Sequence, residues 1–295
     1  IIGGGAIGSA VAYFLLSDPA WKGRVTVIER DPSYKRASSA LSASSIRQQF
    51  STPENIRMSR FGFGFLAEVG RHLAVDGDAP DIGLRTRGYL YLGTAGHAAV
   101  LRENHAIQSR EGAAIALLSP DELAARFPWM SLEGIALGAL GLAGEGWFDG
   151  YGLMQAFRRK ARSLGAVYVA DEAVGLERAG ARIAAVKLAS GERLGCGTVV
   201  NAAGPWARAV AEMAGVPLPV EARRRCIFVF DARRTLPDCP LLIDTSGVFF
   251  RPEGEYFICG TSPSEDEDLH ELPLEVDHRI FDEVLWPALA ARVPA

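Results

Sequence analysis

The chain has 295 residues, 48% of them hydrophobic and 22% charged, the mix of a globular protein of about two domains. That composition excludes a disordered chain, which is poorer in apolar side chains. The net charge of −4, from 31 Lys+Arg against 35 Asp+Glu, argues against a general nucleic-acid binder, which carries a basic excess.

In chain order, Ile1-Ile2 followed by Gly3-Gly4-Gly5-Ala6-Ile7-Gly8 reads as strand, tight turn and helix start. The helix is expected to bury Ala10, Val11, Phe14 and Leu15. Residues 1–17 carry no charge, but the stretch is shorter than a span of about 20 residues and has no basic leader. It is read neither as a membrane span nor as a signal peptide. Residues 24–29 (RVTVIE) form a second strand and close a βαβ unit. Residues 37–45 have loop composition with room for a short helix. Thr52-Pro53-Glu54 starts a helix that is expected to reach Leu73 with Phe61, Phe65, Leu66 and Val69 inward.

A strand over 88–92 and helices over 97–111 and 120–127 follow. Asp149 or Gly150 precedes a helix over 153–164, whose Arg158, Arg159, Lys160 and Arg162 read as a solvated face. Strand-like runs then cover 167–170, 174–178, 182–188 and 198–201, the middle two forming a hairpin around Gly180. Residues 225–260 are strand-rich, and the acidic run 265–268 reads as a solvated loop. A βαβ start with antiparallel strands later fits an α/β protein with a nested second domain. Cys196, Cys226, Cys239 and Cys259 form no CxxC pair and the five histidines no HExxH pair, so no metal site is expected. Unpaired thiols suit a reducing, cytoplasmic setting.

The chemistry concentrates in Gly3-x-Gly5-x-x-Gly8, which follows a strand and opens a helix. Gly3 permits the turn, Gly5 lets a pyrophosphate approach the backbone, and Gly8 allows close helix–strand packing. The helix N-terminus adds N–H groups for the phosphates. Glu29 stands 21 residues beyond Gly8, placed to accept hydrogen bonds from ribose hydroxyls and unsuited to a 2′-phosphate. This pattern leaves FAD and NAD both open. The serines of 37–45 can donate to a pyrophosphate. Arg47 is either beside the far end of a long cofactor or a surface arginine before a helix. Ala202-Ala203-Gly204 would pass close under a ligand, or form a plain strand-to-helix turn.

The glycine motif, ERDP at 29–32, ASSALSASSIRQQF at 37–50 and VVNAAGPWA at 199–207 resemble the FAD-dependent oxidoreductases of the D-amino-acid oxidase superfamily. That group includes glycine oxidase, sarcosine oxidase and dimethylglycine dehydrogenase. The strings at 45–59 and 145–153 are similar to a branch associated with assembly of respiratory complex I. The resemblance implies FAD, with Gly3, Gly5, Ala6, Ile7 and Gly8 at the pyrophosphate and Glu29 with Arg30 at the adenosine ribose. It implies Ser38, Ser39, Ser44 and Ser45 along the pyrophosphate and ribityl chain, and the Val174 backbone at the adenine. Ala202, Ala203, Gly204 and Trp206 match a second cofactor-contacting turn.

Arg47, near the isoalloxazine, and Arg251 are the catalytic candidates, either able to hold a substrate carboxylate. Phe249 and Tyr256 would share the substrate face. For Arg251 an exposed strand-end position is an equal alternative. No histidine lies in 37–47, so covalent flavin attachment through that loop is excluded.

The implied architecture is a Rossmann-like FAD-binding domain, 1–77 and 142–216, with an inserted mixed, mostly antiparallel β-sheet substrate domain, 78–141 and 217–295. The implied activity is oxidation of a secondary amine or amino acid by hydride transfer to flavin N5, with oxygen or a redox protein or quinone as electron acceptor. The alternatives are a flavoprotein whose FAD is structural and which binds a partner, and an NAD-dependent dehydrogenase. No nucleic acid and no transmembrane segment are expected. The family's glycine-rich C-terminal segment is not seen in the sequence, and the intact protein is expected to be longer at both ends.

Overall fold

A computed structural model describes residues 1–262 and 274–294. The acidic run 265–268 lies outside the described residues. The chain divides into two compact units, one of Ile1–Ser44, Glu68–Gly83 and Asp149–Arg223, the other of Ser45–Ala67, Leu84–Phe148 and Arg224–Ala295.

In the first unit Ile2 bridges Ile28 and Asn201, both in parallel, and Thr26–Glu29 runs parallel to Val167–Ala170. The β-branched run at 24–29 therefore forms a strand between two parallel neighbours. The strand expected at 198–201 shrinks to the single bridge at Asn201, because its partner turns away at Gly3. Val200 O accepts from Ile2 N at 2.9 Å and Ala202 N donates to Ile2 O at 2.8 Å, and the pairing ends there.

The helix Ala6–Ser17 buries Gly8, Ser9, Ala12 and Tyr13, not the expected Ala10, Val11, Phe14 and Leu15. Phe14 is 43% exposed. The small residues face inward because the helix Gly150–Ser163 lies against them and sends Phe157 to Tyr13, 5.6 Å between ring centroids. Asp149 caps that second helix by accepting from Gly152 N at 2.9 Å, as its sequence position suggested. Its basic face is less solvated than expected. Arg158 lies 5.6 Å from the Tyr34 and Tyr168 rings, and Lys160 donates to Ala74 O at 2.8 Å. Ala173–Ala179, Arg182–Leu188 and Arg193–Gly195 form an antiparallel meander that turns at Gly180.

The second unit is built on a seven-stranded mixed sheet. Its order is Ile227–Phe230, Tyr256–Gly260, Phe249–Glu253, Leu241–Ile243, Tyr89–Gly93, Leu137–Gly141, Ile115–Leu118. All neighbours are antiparallel except Leu241–Ile243 with Tyr89–Gly93. Leu90, Leu123, Phe127, Leu140, Leu242 and Phe250 make its core.

The long helix expected from Pro53 to Leu73 breaks at Glu68 (φ −113°, ψ 22°) into Pro53–Ala67 and Val69–Leu73. Phe61 is 65% exposed rather than inward, and Ile56 takes its place beside Phe65 and Leu66. These units differ from the expected division. Residues 45–67 and 142–148 group with the sheet, because Ser45–Ile46 pairs with Gly146–Trp147 and Trp147 packs on Tyr89 and Leu241. No helix among the described residues is long and apolar enough to cross a membrane.

Leu242 is fully buried on a strand flanked on both sides. Leu242→Ala should lower stability by about 2–5 kcal/mol, read as an earlier midpoint in urea unfolding followed by tryptophan fluorescence.

Candidate functional site

In the first unit the glycine turn is fixed by contact. Gly3 has φ +99°, and a Cβ on it would fall 2.3 Å from Ala202 O. A Cβ on Gly8 would fall 1.9 Å from Gly3 O. Sequence-distant segments thus meet with backbone against backbone, bringing Ala202 and Ala203 under the opening turn. Gly5 is different, since its Cβ would meet only Ser39 Oγ at 3.2 Å. Gly5 caps the helix with no side-chain hydrogen bond, which leaves this N-terminus open to an anion. Ala6 N donates to Ser39 Oγ at 3.0 Å, and Ile7 is 70% exposed beside it.

Glu29 closes the other end of the turn. Its carboxylate accepts from Gly4 N at 2.7 Å and from Asp31 N at 2.9 Å, one bond to each oxygen. Each oxygen keeps a second lone pair for a ribose hydroxyl. Arg30 stacks 3.8 Å from the Trp206 ring and pairs with Glu172 at 3.3 Å. Ala203 N donates to Asn201 Oδ1 at 3.2 Å, and Gly204 at φ +56° starts the short 3₁₀ turn ending at Trp206.

Val174 is passed over where the strand register shifts between Ala173 and Gly175. Val174 thus has no Cα partner across the ladder and stands at an irregularity of the strand. Ser44, at φ 45°, sits over Gly150, and Ser38 is exposed. Tyr34 was not singled out by sequence. It is buried with its hydroxyl against Gly4, has no hydrogen-bond partner, and burial pushes its pKa up to about 12. An uncapped helix start, a glycine with an open side and a tethered ribose acid fit the diphosphate and ribose of a dinucleotide.

In the second unit Arg47 lies 4.8 Å from the Phe50 ring and 5.9 Å from the Tyr91 ring. Its Nε is buried and has no hydrogen-bond partner. Tyr89 and Tyr91 stack at 6.3 Å, and the Tyr89 hydroxyl donates to Ser45 Oγ. Ser45, expected along the cofactor chain, thus has its hydroxyl engaged within the sheet unit. Burial raises both phenols, Tyr91 to about 12, while Arg47 opposes the shift. The pair was legible in the alternation of GYLYL, which puts residues 89 and 91 on one sheet face.

Arg251 is not an exposed strand-end residue. It is 4% exposed, 5.1 Å from the Trp147 ring, and donates to Pro252 O at 2.9 Å and to Glu253. Phe249 is half-buried and Tyr256 exposed.

Glu145 is the residue that the sequence reading left without a role. Its side chain is fully buried. One oxygen accepts from Gln48 N at 2.6 Å and Gln49 N at 3.1 Å, the other from Gln49 Nε2 at 3.0 Å and Tyr89 N at 3.1 Å. It therefore ties the segment directly after Arg47 to the start of the Tyr89–Gly93 strand. Burial pushes the carboxyl above its ordinary value, against the pull of those donors.

Comparison with known proteins followed the same lines. The family described as DAO, FAD dependent oxidoreductase, matches residues 1–295. The chain is 41% identical over 330 residues to FAD-dependent oxidoreductase domain-containing protein 1 of Xenopus laevis, covering all of this chain and 66% of that protein. For the Bos taurus protein of that name the figures are 38% over 333 residues and 68%. The chain thus spans about two thirds of the length of these relatives.

Among solved structures, L-proline dehydrogenase from P. horikoshii superposes with a TM-score of 0.84 at 22% identity, over 99% of this chain and 76% of that one. Glycine oxidase from Geobacillus kaustophilus gives 0.82 at 21%, over 99% and 77%. At such identities the likeness is one of fold.

Two substitutions separate packing from binding. Gly8→Ala should destabilise by about 1–3 kcal/mol or more, because its Cβ overlaps a carbonyl oxygen. Gly5→Ala should keep the melting temperature but weaken flavin retention at least about tenfold, the equivalent of about 1.4 kcal/mol. Thermal unfolding reads the stability of both variants, and flavin absorbance after gel filtration reads retention.

Glu145→Gln replaces an acceptor oxygen by a donor facing two N–H groups, and should cost about 2–5 kcal/mol in urea unfolding. A carboxyl raised in the folded state loses stability as pH rises from the ordinary 4.5 towards its folded value. The Gln variant should therefore show a flatter stability profile above pH 4.5.

Proposed function

This chain belongs to the DAO family of FAD-dependent oxidoreductases and its cofactor is FAD, and from that premise we propose that it oxidises an amino acid or a small secondary amine bearing a carboxylate. Bound FAD supplies the hydride acceptor, its N5, for the hydrogen on the substrate α-carbon. Gly3, Gly5, Ala6, Ile7, Gly8, Glu29, Arg30, Ser38, Ser39, Ser44, Val174, Ala202, Ala203, Gly204 and Trp206 are the residues we assign to holding it. Ser45 joins them only through its backbone in this reading, since Tyr89 takes its hydroxyl.

Arg47 carries the proposal. A buried Nε with no partner is a donor in want of an acceptor, and a guanidinium matches a carboxylate in two parallel bonds. Arg251 is the weaker candidate because Pro252 O and Glu253 already take its hydrogens. Tyr91, with its pKa near 12, stays a neutral phenol at neutral pH and adds no charge to compete for Arg47. The Glu145 carboxylate is occupied by four N–H groups and serves as no base, so the substrate amine binds in its neutral form. Loss of hydride from the neutral amine leaves an iminium ion, which water hydrolyses to the carbonyl product and the released amine or ammonium. The names of the proteins sharing this fold, glycine oxidase and L-proline dehydrogenase, support an amino-acid substrate.

The test is an anaerobic screen of glycine, sarcosine, proline and D-amino acids against the full-length, FAD-loaded protein, reading bleaching of the flavin band. One of these should bleach it. Arg47→Ala should raise the apparent KM for that substrate about 10–100-fold, Arg47→Lys should recover part of the loss, and a decarboxylated analogue should not discriminate the variants. Retention of oxidised flavin with every amine, with a partner protein co-purifying, would replace this reading by a structural role for FAD.

A further inference from the structure

The second unit contains a recess lined by neither Arg47 nor Arg251. It has a volume of about 580 Å³, within the roughly 300–1,000 Å³ of small-molecule sites. Arg85, Arg87 and Arg234 line it together with Trp147 and Tyr256, and Glu255 is its one acid. Several other arginines of this unit stand against carboxylates, Arg57 with Glu111, Arg251 with Glu253 and Arg292 with Asp244. Among the described residues neither Arg85 nor Arg87 has such a partner, and Arg234 donates to a neutral acceptor, Pro294 O, at 2.9 Å.

The recess is also held in place. Arg85 N donates to Trp147 O at 2.8 Å and Trp147 N to Arg85 O at 3.1 Å, which fixes the Arg85 backbone against that of Trp147. The approach is close enough that a Cβ on Gly146 would lie 1.8 Å from Arg85 O. Three guanidinium groups around one cavity repel each other unless an anion enters. Their planar forks suit carboxylate and phosphate oxygens, while the half-exposed Tyr256 offers apolar surface to the rest of a ligand.

We infer that this recess binds a small molecule carrying two or more anionic groups, carboxylates or phosphates. A single carboxylate engages one fork and leaves the remaining arginines unneutralised, so charge number sets the affinity. Because the bonds form on a solvent-reached rim, salt weakens them.

Isothermal calorimetry on the full-length, FAD-loaded protein tests this, with citrate, pyrophosphate and acetate as probes. Loaded FAD keeps pyrophosphate from the dinucleotide turn. Citrate or pyrophosphate should bind at least about tenfold more tightly than acetate, with affinity falling as sodium chloride is raised. Preference for citrate assigns the ligand to the polycarboxylates, preference for pyrophosphate to the phosphates. Arg85→Ala with Arg87→Ala, and separately Arg234→Ala, should each lose about tenfold or more, and Arg87→Lys should retain part of the affinity.

Should the double variant lose its flavin, Arg234→Ala decides. Equal affinity for acetate and the polyanions, or unchanged polyanion binding in the variants, overturns the inference. Binding is read without turnover, so an amine screen that fails leaves this result standing, and the reverse also holds.

Discussion

A fully buried carboxylate organises the second unit. Glu145 is fully buried, and an ion taken from water costs several kcal/mol unless it is paired or hydrogen-bonded. Four N–H groups meet it, from Gln48, Gln49 twice and Tyr89. They come from two segments about 40 residues apart in the chain, so satisfying one charge fixes the register between the Arg47 segment and the start of the interior strand Tyr89–Gly93. Gly141 makes room, since a Cβ there would lie 1.8 Å from Glu145 Oε2. The partnerless Nε of Arg47 follows from this arrangement, because its neighbours are held to Glu145 and the aromatic rings of Phe50 and Tyr91 flank it without offering an acceptor.

The first unit relies on a different constraint, close approach of main chain to main chain. Gly3 against Ala202 and Gly8 against Gly3 leave no space for a side chain. Hydrogen bonding alone would not require glycine at either position, but these distances do. Glu29 then ties Gly4 to Asp31, so the acid assigned to a ribose also braces the turn that receives the diphosphate. One side chain thus serves both local structure and ligand geometry.

Much of this was legible from short-range signals. The glycine spacing, the acid 21 residues on, the Asp149 cap and the hairpin at Gly180 are local chemistry, and each stands where its sequence neighbours put it. The failures share a cause. The inward face of Ala6–Ser17 was read from apolar spacing, yet small Gly8 and Ala12 face inward because Phe157 of another helix fills the gap. Phe61 was placed inward by the same spacing and is exposed. Arg251 reads as a strand-end cation; its partner Glu253 stands two residues on in the same strand, and only the fold supplies the Trp147 ring against it. Val174 was assigned by resemblance, while the register shift that sets its backbone apart leaves no trace in local composition.

The sequence by itself determined the glycine-rich strand–turn–helix opening, the α/β class and the cofactor family, because a turn, a helix start and a family motif are written in neighbouring residues. The tertiary structure decided which charges are satisfied and which are not. Arg251 came to lie against the Trp147 ring, Glu145 found four donors, and Arg47 kept a donor without an acceptor. An arginine's chemistry is the same wherever it appears in a sequence, and what it can bind depends on the groups that long-range packing brings within hydrogen-bond reach.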